Sequence, residues 1–149
     1  MKVKKIRMED GKASGVEMVD VQNRSGMHFD VNISRGMDIP YLDFCGENIG
    51  FISPCGVVAP EYFDDKGLGF LKSFTAGFMT TCGLKVAGAP CEYEGTSYGL
   101  HGIFHIHRQK MSAYPLKIFL QQMLLPLKKR ALVLVVQLHL KTCWYLYRN

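Results

Sequence analysis

Hydrophobic and polar residues alternate along two neighbouring stretches near the start of the chain. Residues 15–22 (GVEMVDVQ) alternate imperfectly, whereas in residues 28–34 (HFDVNIS) Phe29, Val31 and Ile33 alternate cleanly with polar neighbours. The residues between them include NRSG at 23–26, a composition typical of a turn. Because a period of two is that of a half-buried strand, the pattern predicts a β-hairpin.

The same pattern continues in shorter pieces further along the chain. Residues 39–44 and 49–53 resemble strands, with CGEN at 45–48 as the turn between them, and prolines and a glycine at 54–60 end the run. No stretch of this part has a sustained helical period. Eight glycines fall within residues 67–102, which predicts loops and close backbone approach around a site. The first hundred residues therefore predict a mainly antiparallel β protein.

The remainder of the chain is apolar and basic. Residues 116–127 are apolar without a clear face, 128–130 are basic, and 131–140 (ALVLVVQLHL) are uncharged and β-prone. A membrane-spanning helix needs roughly 20 mostly apolar residues, and Pro126 with the basic residues divides this region into shorter pieces. We therefore expect no membrane partner, and we expect residues 131–140 to promote aggregation.

Composition agrees with one globular domain, but charge is distributed unevenly. The 149 residues are 48% hydrophobic and carry a net charge of +5. Residues 1–94 contain 10 basic and 13 acidic side chains, whereas residues 95–149 contain 8 basic and none acidic. A basic chain often binds nucleic acid, yet here the body is mildly acidic and only the tail is basic. We accordingly expect no nucleic-acid partner.

The five cysteines form neither a C-x-x-C pair nor an even framework. No apolar run of the kind found in signal peptides follows the first seven residues (MKVKKIR). These observations predict a reducing, cytoplasmic setting without disulfides, and we expect no metal and no cofactor.

The segment SRGMDI at 34–39 is the first candidate for chemistry. Gly36 allows a sharp turn, and Arg35 and Asp38 could each hold a hydroxyl or a carboxylate. The alternative, which spacing alone favours, is a surface ion pair at a turn.

Two glycine-rich segments are further candidates. In FTAGFMTTCGL at 74–84, two glycines flank small hydroxyls and a thiol, an arrangement that equally suits a tight strand corner. In YGLHG at 98–102, His101 stands close to glycines that leave an imidazole accessible as a hydrogen-bond donor, an acid or a ligand. A histidine that serves only packing is the alternative there.

Taken in order, these segments resemble one family. RGMDI, FISPCGVVAP, EYFD, GLGFLKSF, TTCGL and YGLHG together are similar to the amino-terminal part of bacterial aldose 1-epimerase-like proteins, a domain-of-unknown-function family in the galactose mutarotase superfamily. The resemblance covers about residues 15–104. It implies an antiparallel β-sandwich, as a fragment of the galactose mutarotase-like supersandwich, with a sugar or sugar derivative in a cleft over one sheet.

The resemblance also implies a chemistry and two site residues. In aldose epimerisation a carboxylate takes the proton of the anomeric hydroxyl, a histidine protonates the ring oxygen, and the opened sugar recloses as either anomer. By position in the motifs, His101 is expected to bind substrate and Arg35 to line the cleft. The superfamily's catalytic histidine and glutamate lie further along, where this chain has no carboxylate, so its catalytic residues are unknown and the chain is expected to be inactive. A non-catalytic sugar-binding module and a basic-tailed interaction protein are the alternatives.

The tail after Phe104 departs from the family pattern in a specific way. If each codon of residues 104–112 is read displaced, with its third base joined to the first two of the next, the chain can encode SHTPAENV, close to the segment that the family has there. We therefore expect residues 1–104 to be the amino-terminal part of an epimerase-like β-sandwich and 105–149 to be an out-of-frame tail. A histidine metal cluster at 101, 105 and 107 is not expected on this interpretation.

Overall fold

Short antiparallel strands make up most of the regular structure. The computed structural model describes residues 2–81, 86–103 and 106. All of them belong to one unit, Met1–Gln109. Predictions on residues 107–149, including the aggregating run and the displaced frame, lie outside the described residues. Within them, no helix is long and apolar enough to cross a membrane.

Five strands form the main sheet and lie in chain order, each antiparallel to the next. They are β1 (Lys2–Arg7), β2 (Glu17–Gln22), β3 (Met27–Asn32), β4 (Leu42–Phe44) and β5 (Glu47–Asn48). Two further pairs are β6 (Phe51–Ile52) with β7 (Ala76–Gly77), and β8 (Cys91–Tyr93) with β9 (Thr96–Tyr98). Short 3-10 helices occur at Gly11–Ala13, Pro60–Tyr62 and Gly69–Ser73. This architecture confirms the prediction of a mainly antiparallel β protein.

The predicted hairpin is confirmed as the pair β2–β3. Val21 lies opposite Phe29 and Val19 opposite Val31, and all four are buried. The turn is held by the Asn23 side chain, whose Oδ1 accepts hydrogen bonds from the backbone N–H groups of Ser25 and Met27, both at 2.9 Å. Such a side-chain acceptor is the reason that asparagine favours turns.

The imperfect alternation of β2 has a packing cause. Met18 is fully buried on one face, in a cluster with Ala13, Val16, Val57 and Ala59. Val19 and Val21 are buried on the opposite face, and a strand that is buried on both faces loses its period of two. The lysine-rich edge strand β1 was not predicted, because charged, mostly exposed side chains give no apolar pattern although they suit an edge.

A continuous buried segment follows the hairpin. Every residue from 31 to 40 is buried, which includes the end of β3 and the whole SRGMDI segment. The loop is closed by backbone hydrogen bonds from Asn32 N–H to the Asp38 carbonyl (2.8 Å) and from Asp38 N–H to the Arg35 carbonyl (3.0 Å). A charged loop is thereby placed inside the protein, where its polar groups need partners.

Candidate functional site

The buried loop holds an ion pair between Arg35 and Asp38. Gly36 and Met37 adopt left-handed backbone angles (φ of 50° and 66°), which bends the chain sharply between the two charged residues. Arg35 Nε lies 3.2 Å from Asp38 Oδ2, and the side chains are only 1% and 4% exposed. The predicted ion pair is therefore present, but it is buried and does not lie at the surface.

The other carboxylate oxygen of Asp38 joins this loop to the TTCGL segment. Asp38 Oδ1 accepts hydrogen bonds from the backbone N–H and the hydroxyl of Thr81, both at 2.7 Å. Burial raises the pKa of Asp38 to about 6, while the Thr81 bonds and the Arg35 charge oppose that rise. Two of the three predicted segments therefore meet, although cysteine, glycine and leucine at 82–84 lie outside the described residues.

Arg35 reaches the 3-10 helix Gly69–Ser73 with its far end. Its Nη1 donates to the Ser73 carbonyl at 2.5 Å. Its Nη2 is buried and has no hydrogen-bond partner in the described part of the chain. Burial lowers the pKa of Arg35 and the neighbouring Asp38 raises it again, and arginine remains charged at any physiological pH. The structure therefore buries a charged donor whose Nη2 amino group makes no hydrogen bond to the described residues.

His101 contacts the same 3-10 helix from the YGLHG segment. The ring of Phe70 meets the imidazole edge-on at 5.0 Å between centroids and also lies 5.2 Å from the ring of Phe74. Phe70 itself is only 3% exposed. The helix Gly69–Ser73 thus links the two residues predicted to bind substrate, since Arg35 bonds to its last residue and His101 packs on its second.

The orientation of the imidazole is set by Gly88. The His101 N–H donates to the Gly88 carbonyl at 2.9 Å, and the Gly88 N–H donates back to His101 Nδ1 at 3.1 Å. Because Nδ1 accepts a hydrogen bond, the neutral ring carries its hydrogen on Nε2. No hydrogen bond to Nε2 occurs among the described residues, so a half-buried donor is available there. A doubly protonated ring could not accept the Gly88 bond.

Close backbone approach brings the YGLHG segment to this place. A Cβ added to Gly99 would overlap the carbonyl of Asp65, and one added to Gly69 would overlap that of Asp64. The N–H of Leu100 donates to the Gly67 carbonyl at 3.0 Å. These contacts confirm the close approach that the glycine density predicts. His101 itself has a left-handed backbone (φ of 60°), a conformation that non-glycine residues rarely adopt.

Sequence reasoning did not assign roles to Ser73, Phe70 or Gly88. GLGFLKSF contributes to the family resemblance, but nothing in it shows that a serine carbonyl would bind arginine or that a phenylalanine would support histidine. Those roles depend on contacts across 38 and 31 residues of chain. Among the described residues, Asp20, His28 and Asp30 lie close enough together that they could hold a metal ion, but this group lies on the main sheet and includes neither Arg35 nor His101.

Comparison with known proteins gives one family and one solved structure. Residues 13–111 match the family model described as "Domain of unknown function (DUF4432)". A crystal structure from Klebsiella pneumoniae subsp. pneumoniae MGH 78578, of a protein described as a "putative aldose 1-epimerase", is 26% identical with a TM-score of 0.63. The match covers 71% of this chain but only 28% of that protein. None of the curated proteins matches.

Proposed function

This chain belongs to the DUF4432 family, and from that membership we propose that it binds a sugar or sugar derivative in the manner of an aldose 1-epimerase. The likeness to the Klebsiella pneumoniae structure supports this proposal, since the two share the fold over 71% of this chain with a TM-score of 0.63. The single observation that carries it is the His101 Nε2 donor, fixed by Gly88 and packed against Phe70.

His101 is proposed to donate a hydrogen bond from Nε2 to a sugar hydroxyl. Sugars present hydroxyl oxygens around a weakly apolar ring, and sites that bind them combine rigid donors with aromatic surface. The ring orientation is held by the Gly88 N–H and the edge of Phe70, so little freedom is lost on binding. Nδ1 accepts a bond from the Gly88 N–H, so the neutral ring is oriented to donate from Nε2, which is the role expected of a substrate-binding residue.

Arg35 is proposed to support the sugar-binding site around His101 through the helix Gly69–Ser73. Its side chain is 1% exposed, and Nη2 is a buried donor without a hydrogen-bond partner among the described residues. Nη2 is shielded from solvent, so a sugar oxygen would reach it only if the surrounding loop opened, and it would then satisfy a donor whose missing hydrogen bond is costly. Through Ser73, the same guanidinium also holds the helix that carries Phe70.

A non-catalytic sugar-binding module is the second candidate. It is favoured by the Nδ1 bond of His101 and by the absence of any Asp or Glu after residue 94, which leaves no downstream carboxylate base. We propose epimerase activity only for longer members of the family. The match to the Klebsiella pneumoniae protein covers only 28% of that protein's length. The basic-tailed interaction protein and the cytoplasmic location stay predictions.

The test is a sugar titration of the 149-residue chain followed by ligand-observed NMR, together with polarimetry of mutarotation. We expect saturable binding of an aldose and no rate enhancement over buffer. His101→Gln should weaken binding by about 1–3 kcal/mol, the cost of an unmade hydrogen bond, whereas Arg24→Gln, which alters an exposed side chain of the β2–β3 turn, should leave it unchanged. Equal binding by the wild type and His101→Gln, or no saturable binding of any aldose, would refute the proposal.

A further inference from the structure

A second group of polar side chains lies on one face of the main sheet and does not include Arg35 or His101. Asp20 on β2 lies directly opposite Asp30 on β3, and His28 on β3 lies opposite Asp43 on β4. Directly opposed residues of antiparallel strands point to the same face, and so do residues two apart on one strand. Three carboxylates therefore surround one imidazole on three adjacent strands.

Asp43 determines which nitrogen of His28 is available. Asp43 Oδ2 lies 2.9 Å from His28 Nδ1. An ionised carboxylate only accepts hydrogen bonds, so Nδ1 is the donor and the neutral ring has its lone pair on Nε2. That nitrogen faces Asp20, with 3.5 Å between Nε2 and Oδ2, but the geometry does not make a hydrogen bond. A carboxylate that orients a histidine in this way is the usual neighbour of a histidine metal ligand.

With a neutral His28, the atoms that face one another here are all acceptors, and they are shielded from solvent although the side chains of His28 and Asp20 are 37% and 13% exposed. Asp20 Oδ1, Asp30 Oδ1 and His28 Nε2 are each shielded from solvent and have no hydrogen-bond partner among the described residues. One ligand atom from each of these side chains lies within 4.8 Å of the other two. Buried acceptors without a donor are costly and rare in native structures. They point to a cation as the missing partner.

The neighbouring lysine does not supply that cation. Lys4 on β1 is the residue opposite Asp20, and it is exposed and forms no ion pair with Asp20 in the described part of the chain. Like charges directly across a sheet, as at Asp20 and Asp30, destabilise the pairing.

We propose that Asp20, His28 and Asp30 bind one divalent transition-metal ion, with Asp43 as the positioning residue that orients His28. One imidazole nitrogen and two carboxylate oxygens suit a first-row ion such as Zn²⁺ or Co²⁺ better than Mg²⁺ or Ca²⁺, which prefer oxygen alone. The ion would hold β2 and β3 together and offset the opposed carboxylates. This inference is independent of sugar binding and departs from the expectation that the protein holds no metal.

The experiment titrates Co²⁺ into the 149-residue chain and follows the visible absorption and the midpoint of thermal unfolding. We expect one ion per chain, a raised midpoint, and no thiolate-to-cobalt charge-transfer band, since the ligands are nitrogen and oxygen. Zn²⁺ should compete, and Mg²⁺ should not. His28→Gln should weaken the Co²⁺ affinity at least about tenfold, and Asp43→Asn, which keeps all three ligands, about 10- to 100-fold. Glu47→Gln, which alters an exposed carboxylate on β5 of the same sheet, is the matched control and should bind as the wild type does.

Circular dichroism of each variant separates loss of the site from loss of the fold. If His28→Gln fails to fold, Asp43→Asn and Asp30→Asn, which preserve shape, carry the test. Binding that survives both substitutions, or a thiolate band, would place the ion elsewhere and overturn the proposal. It would also be overturned if neither Co²⁺ nor Zn²⁺ bound to the folded wild-type chain.

Discussion

Replacing Arg35 with methionine removes the positive charge from a buried ion pair and leaves the Asp38 carboxylate without its charged partner. The two side chains are 1% and 4% exposed, so little solvent can take over that role. Breaking a buried pair from one side typically costs about 3–5 kcal/mol of unfolding free energy. We expect that magnitude for Arg35→Met near neutral pH, since the Ser73 carbonyl also loses its donor.

The cost should depend on pH in a direction that follows from Asp38. Its pKa is raised from 3.8 to about 6 in the folded protein, so the folded state holds the proton more tightly than the unfolded state. The resulting stabilisation is complete below about pH 4 and is lost as the pH rises through about 6. Without Arg35 the carboxylate is harder still to ionise. Arg35→Met should therefore cost most above about pH 7 and only about 1–2 kcal/mol near pH 4.5, where Asp38 is protonated.

Urea unfolding followed by circular dichroism at the two pH values measures this difference. Arg35→Met with Asp38→Asn should cost less than the sum of the single substitutions, because the double variant leaves no buried charge unpaired. Lys72→Met is the matched control, since Lys72 pairs with Asp64 at 2.6 Å on an exposed surface and should matter little. A cost for Arg35→Met that is equal at both pH values, or no larger than that of Lys72→Met, would refute the reasoning.

Three further expectations concern backbone approach, turn chemistry and the coding frame. Gly99→Ala should destabilise the fold by about 1–3 kcal/mol through overlap with the Asp65 carbonyl, and a urea midpoint equal to that of the wild type would contradict this. Asn23→Ala should cost about 1–2 kcal/mol, because two N–H groups lose one shared acceptor, and an unchanged midpoint would count against it. Resequencing the coding DNA around Phe104 should show that one added base opens a frame reading SHTPAENV or a near variant, and an early stop codon in that frame would rule it out.

The β2–β3 hairpin could be predicted because its determinants are local. Alternating residues on each strand and a turn residue that bonds its own neighbours act over a few positions. The Arg35–Asp38 pair could be predicted for the same reason. The two residues are three apart with Gly36 between them, so a local turn brings their side chains together. The fold class followed from these local patterns, and the family followed from the order of the motifs.

The burial of that pair could not be predicted, because it depends on segments far along the chain. Ser73 bonds to Arg35 from 38 residues away, and Thr81 bonds to Asp38 from 43 residues away. The pattern of residues 31–40 gives no indication of these distant partners. The edge strand β1 was missed for a related reason, since its lysines gain β structure only by pairing with β2.

The chemistry of the two histidines divides in the same way. Glycines beside His101 indicated an accessible imidazole, but which nitrogen carries the hydrogen was decided by Gly88, which the fold places against the ring. In the sequence, His28 is one of the polar residues of an alternating strand. The register of β2, β3 and β4 places three carboxylates around it, and the sequence does not specify that register. Sequence alone determines which side chains a strand presents and how they alternate. Tertiary structure decides what faces them, because burial and hydrogen-bond partners come from chain segments that no local pattern specifies.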